Sequence, residues 1–158
     1  MPNKARVRGF RAERSLALAL WKLGFACIRG PASGSGARRL FYPDLLAIRN
    51  GVIFVFEIKI AARKILYLNR LKIERLKDFV KRIRGSSKET RVYAFIALKI
   101  PDKRWRFIPL EKLRLTKSCT TYKIDVTQVN QAFSIRDIVQ LSELSSPRKL
   151  DNYVTSHE

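Results

Sequence analysis

The chain has 158 residues, 46% of them hydrophobic, which suffices for one compact domain with its own core. Its 33 Lys+Arg against 13 Asp+Glu leave a net charge of +20, more than solubility needs, and such a surplus suits a polyanion that sheds condensed counterions on binding. His157 is the sole histidine and stands next to the C-terminus, and Cys27 and Cys119 form no C-x-x-C pair, which argues against histidine catalysis, a zinc site and a disulfide framework.

Nucleic acid is therefore the expected partner, ahead of an anionic membrane and an acidic protein. The basic residues lie in 4–14, 38–39, 59–84 and 103–106 rather than in one tail, so the partner is expected to meet a broad folded face.

Residues 10–23 carry Leu16, Ala17, Leu20 and Leu23 at helical spacing, and Gly24 is placed to end that helix in a left-handed conformation. The apolar run 16–21 is no signal peptide: Lys22 interrupts it, Glu13 and Arg14 adjoin it, and no small-residue cleavage site follows. No run approaches membrane-spanning length, so a soluble cytoplasmic, nucleoid-associated protein is expected. Residues 25–29 read as a strand, 30–36 (GPASGSG) as a flexible loop with a basic far end at Arg38 and Arg39, and 42–60 as a hairpin.

A second helix is expected over 68–83, with Leu76, Phe79, Val80 and Ile83 toward the core and Lys72, Lys77, Lys81, Arg82 and Arg84 on the remainder. Residues 91–100 and 105–108 read as strands, Tyr122, Ile124 and Val126 alternate as another, and Ser134 caps a last helix with Asp137 in the N3 position. The order predicts an α/β fold: a central mixed sheet flanked by helices on both faces, forming a single domain over 1–144 with a polar, flexible tail over 145–158.

The hairpin carries the chemistry. Asn50-Gly51 is a strong two-residue turn signal, because both positions need positive φ. That turn pairs Arg49 with Val52, Ala47 with Phe54 and Leu45 with Phe56, and one step further sets Asp44 opposite Glu57, with β-carbons about 4.5–5.5 Å apart. Two facing carboxylates need a proton or a cation between them, and oxygen-only ligation favours Mg²⁺ or Mn²⁺. Alternation puts Lys59 on the same face as Glu57, where it can donate to a phosphate or orient a water. The plainer alternative is a buried salt-bridge trio.

Glu13 continues the Leu16-Ala17-Leu20 stripe, so it is either paired with a nearby Arg or directed into a functional cleft. Ser33 is either part of a simple connection or a phosphate ligand.

These residues resemble a known family. Ala-Glu-Arg at 12–14, I-R-G-P-A-S-G-S at 28–35, Pro43-Asp44, E-I-K at 57–59, FIPLEKLRLT at 107–116 and LDNYV at 150–154 are similar to the archaeal Holliday-junction resolvases, within the PD-(D/E)xK nuclease superfamily. The resemblance spans nearly the whole chain and departs in 60–75 and 117–134.

It implies a restriction-endonuclease-like homodimer that nicks two opposing strands of a four-way DNA junction, dependent on Mg²⁺ and leaving 5′-phosphate and 3′-hydroxyl ends. It assigns Glu13, Asp44, Glu57 and the Ile58 carbonyl to the metal, Lys59 and Ser33 to catalysis, and Arg14, Arg29 and Ser33 to the DNA around the scissile phosphate, while Arg38 and Arg39, read from the loop itself, are expected to contact the DNA backbone. It also suggests the tail as a tether to a sliding clamp. The rival expectations are a PD-(D/E)xK nuclease for another DNA structure and a non-catalytic junction-binding architectural protein.

Overall fold

The structure, a computed structural model, describes residues 3–31, 40–102 and 104–144. In chain order the elements are α1 (Lys4–Lys22), β1 (Ala26–Arg29), β2 (Leu45–Arg49), β3 (Val52–Ile60), β4 (Ile65–Asn69), α2 (Arg70–Arg84), β5 (Val92–Lys99), β6 (Trp105–Pro109), β7 (Arg114–Leu115), β8 (Thr121–Asp125) and α3 (Ile135–Leu144). Two short 3₁₀ turns, Leu110–Lys112 and Val126–Gln131, flank β7 and β8.

The central sheet has the order β1-β2-β3-β5-β6. β3 and β5 run parallel and the other neighbours antiparallel, so the sheet is mixed as the sequence predicts. On one face, Leu16 and Leu20 of α1 and Ile138 of α3 pack against Phe54, Phe56 and Phe107. On the other, Ile73 and Leu76 of α2 pack against Val55, Ile96 and Leu98. Helices thus cover both faces, which explains why β3 reads as an almost unbroken apolar run. None of the helices among the described residues is long and apolar enough to cross a membrane.

Local signals decide the element ends. Gly24 has φ +87°, and its N–H reaches the carbonyl of Trp21, ending α1 as expected. The Ser134 N–H donates to Asp137 Oδ2 at 2.6 Å, while the Asp137 N–H returns to Ser134 Oγ at 3.4 Å, completing the reciprocal cap of α3. At the front, α1 begins at Lys4, earlier than the apolar stripe suggests, because the Asn3 side chain accepts from the Ala5 N–H.

The largest departure lies at 65–69. The helix expected from residue 68 starts at Arg70, and the residues before it form β4, paired with β8 from Ile65↔Asp125 to Asn69↔Thr121. Leu68 is buried against the partner strand's Tyr122 and Ile124, and this tertiary pairing overrides the helical tendency of the segment. β4, β8 and the short β7 make a separate three-stranded sheet, so β8 does not extend the central one. The consequence is local but important: Asn69 becomes the cap of α2, its side chain accepting from the Lys72 N–H at 3.3 Å, and Lys72 falls in the first helical turn.

Candidate active site

Asn50 and Gly51 adopt φ +52° and +74°, and β2 and β3 take the register that a two-residue turn requires, from Arg49↔Val52 to Leu45↔Phe56. Asp44 immediately precedes β2 at the open end of this hairpin, and its Oδ2 accepts the Ile58 N–H at 2.7 Å. Glu57 sits on β3 with its side chain 1% exposed, between the core positions Phe56 and Ile58 of the opposite face. Lys59, two residues along, brings its Nζ to 2.7 Å from Glu57 Oε1. The structure therefore brings Asp44, Glu57, Ile58 and Lys59 together.

A fifth group completes the cluster. Lys72 Nζ lies 2.6 Å from Glu57 Oε1 and 4.0 Å from Asp44 Oδ1. This corrects the expectation that Lys72 decorates the solvated side of α2. Its signal was present in the sequence, because Lys72 precedes Leu76 by four residues and Phe79 by seven and so continues the buried stripe. Its charge, read as that of a solvated residue, hid it.

Burial pushes Asp44 up, the charge of Glu57 adds to this, and Lys72, the Ile58 N–H and Lys59 offset it only in part, leaving it at about 6. Burial raises Glu57 too, but the ammonium groups of Lys59 and Lys72 outweigh it and hold Glu57 below the usual carboxylate range. The two acids are thus pushed apart, one easily protonated and one firmly charged.

Folded Asp44 keeps a proton that the unfolded chain has already lost, so its stabilising contribution is present at low pH and disappears as pH rises through about 6. Glu57 contributes the reverse, stability that is lost as pH falls. In metal-free protein, wild type should therefore lose up to about 3 kcal/mol relative to Asp44→Asn between pH 4 and 7. Urea unfolding of both proteins across that range checks this, and parallel curves would contradict it.

The donor set fits a hard divalent cation. Both Glu57 oxygens are buried, and the ion pairs to Lys59 and Lys72 both run to Oε1, which leaves Oε2 without a hydrogen-bond partner among the described residues. A buried carboxylate oxygen so placed is costly unless a donor or a cation reaches it. Asp44 and Glu57 offer oxygen ligands alone, the preference of Mg²⁺ and Mn²⁺.

Glu13 comes from α1, on the other face of the sheet. Its Oε2 pairs with Arg29 of β1 at 3.0 Å, so the arginine pairing weighed from the sequence is realised. Glu13 nevertheless lines the same cleft as Asp44 and Lys72, a cavity of about 390 Å³ that also includes Phe10, Tyr42 and Arg75. Among the described residues no three acids or other ligating side chains are close enough to hold an ion by themselves. Arg14 is exposed on α1 beside Glu13. Ser33, Arg38, Arg39 and the expected tail lie outside the described residues.

Gly30 fixes the approach of β1 to this end of the hairpin. Its N–H donates to the Asp44 carbonyl at 3.1 Å, and a β-carbon built there would overlap the Pro43 carbonyl oxygen. Gly30→Ala should push the Pro43-Asp44 backbone outward, costing about 1–3 kcal/mol of stability and cleavage activity with it. A thermal melt beside a cleavage assay checks this, and a variant equal to wild type in both would refute it.

Residues 4–146 match the sequence profile of a family described as archaeal Holliday junction resolvase (Hjc). A crossover junction endodeoxyribonuclease Hjc from Sulfurisphaera tokodaii is 34% identical over 155 residues, covering 96% of this chain and 99% of its own. Another from Archaeoglobus fulgidus is 38% identical over 118 residues, covering 75% and 79%. The solved structure of Archaeoglobus fulgidus Hjc, a Holliday junction resolvase from an archaeal hyperthermophile, superposes with a TM-score of 0.66 at 31% identity, over 84% of this chain and 96% of that one.

Proposed function

The chain belongs to the archaeal Holliday junction resolvase (Hjc) family, and on that premise we propose that it resolves four-way DNA junctions by metal-dependent nicking of two opposing strands. The observation that carries the reading is Glu57: an ionised carboxylate 1% exposed, beside a second acid, with a lysine two residues along the strand. A protein that merely binds DNA has no use for so costly an arrangement, whereas phosphodiester hydrolysis does.

In this reading Asp44, Glu57 and the Ile58 carbonyl hold Mg²⁺, or Mn²⁺ in its place, with Glu13 reaching the same cleft from α1. A bound divalent ion supplies Lewis acidity and lowers the pKa of a coordinated water. Lys59 stands beside the cleft to orient the attacking water or to stabilise charge building on the phosphate. Arg29, paired with Glu13 at the cleft, and Arg14 on the same helix as Glu13 are the phosphate-holding groups, joined by Ser33, Arg38 and Arg39 of the sequence before Asp44. The ends left are 5′-phosphate and 3′-hydroxyl.

A C2 homodimer suits the substrate, because a four-way junction has an approximate two-fold axis of its own and two sites would address two equivalent strands. Contacts to phosphates position without reading bases, so selectivity should be for branched shape. A synthetic junction with a fixed crossover and a linear duplex of the same sequence, each incubated with and without Mg²⁺, test the reading on a denaturing gel. Paired nicks in the junction alone, only with Mg²⁺, are expected; equal cutting of the duplex would point to a nuclease for another DNA structure.

A further inference from the structure

We propose that Lys72 is a built-in counter-cation: it closes the Asp44–Glu57 pair in metal-free protein, competes with the divalent ion for it, and is released toward DNA phosphate when the ion enters. The proposal rests on the reading of this site as metal-dependent.

Three observations converge. The Lys72 ammonium contacts the buried Glu57 at 2.6 Å and approaches Asp44 at 4.0 Å, so it occupies ground between the same two carboxylates that would ligate the ion. It does so from an unfavourable place. Lys72 lies in the first turn of α2, which contains Arg70 and no acid, and the positive end of a helix dipole disfavours cations. The carboxylate pair is what offsets this.

Charge supplies the third observation. Asp44 and Glu57 are balanced by Lys59 and Lys72, so the metal-free centre is already neutral, and a divalent ion added to it leaves an excess that must be relieved. Lys72 is the more exposed of the two lysines. Its side chain is 44% exposed on a flexible four-carbon stem, and it lines the cleft together with Arg75. Swung away from Glu57, its ammonium stands over the cleft where a phosphate of bound DNA would lie. One lysine then couples the two ligands: the ion frees it, and the phosphate keeps it from returning.

The experiment is Mn²⁺ binding followed by calorimetry in DNA-free protein at one fixed pH, with wild type, Lys72→Met, Lys72→Gln, Lys72→Arg and Asp44→Asn. Removing the competitor should tighten Mn²⁺ binding about fivefold in Lys72→Met and Lys72→Gln, while Lys72→Arg, which keeps the charge, should stay near wild type. Thermal melts give a second readout: without metal, both neutral variants should melt below wild type, and Mn²⁺ should raise their midpoints more than it raises that of wild type. Equal or weaker Mn²⁺ binding by both neutral variants overturns the proposal, provided that Asp44→Asn binds the ion weakly. If wild type does not bind Mn²⁺, or Asp44→Asn binds it as well as wild type does, the metal reading itself fails and Lys72 has nothing to compete with.

Discussion

Asp44→Asn should abolish junction cleavage, by about a thousandfold or more, while leaving junction binding intact or tighter. The amide keeps the size of the side chain and an oxygen that can still accept the Ile58 N–H, now recorded at 2.7 Å, so the hairpin end should hold its shape. What disappears is a negative charge that the proposed cation would need. Burial and the neighbouring Glu57 already strain that charge, raising Asp44 to about 6, so its removal relieves repulsion in the protein as it stands. Less repulsion of the DNA backbone also favours binding. Gel-shift and cleavage assays run side by side check both halves; cleavage within about tenfold of wild type would remove Asp44 from the chemistry.

Glu57→Gln should be equally inactive and, unlike Asp44→Asn, less stable. Glu57 is 1% exposed and holds both Lys59 and Lys72 within 2.7 Å, so the amide leaves two ammonium groups without their partner. Breaking a fully buried pair costs about 3–5 kcal/mol. Here both lysine side chains retain access to water, at 35% and 44% exposed, and the loss should fall to about 1–2 kcal/mol. Chemical denaturation and Mn²⁺ calorimetry together test this. A Glu57→Gln protein that still binds the ion as wild type does would show that the buried carboxylate serves structure alone.

The central part of the site was readable because period-two alternation and one turn type carry so much information. Asn50-Gly51 set the register, the register set Asp44 against the Glu57 end of β3, and alternation put Lys59 beside Glu57. The same transparency gave the helices on both faces and the Ser134–Asp137 cap. What was opaque depends on long-range pairing. β4 forms because β8, more than fifty residues later, lies against it, and no local pattern announces that. That pairing moved the start of α2 by two residues, from 68 to Arg70, whereas Lys72 was misplaced because its charge was weighed above its helical phase with Leu76. Glu13 shows the other limit: the stripe on α1 marked it as turned inward, yet only packing could choose between Arg29 and the cleft, and it chose both.

The most direct test is a crystal of the protein grown or soaked with Mn²⁺ and measured for anomalous scattering at the manganese edge. The account predicts one or more peaks at the open end of the hairpin, ligated by carboxylate oxygens of both Asp44 and Glu57, with Lys72 turned away. A well-occupied ion elsewhere, with Lys72 still seated on Glu57, would contradict it.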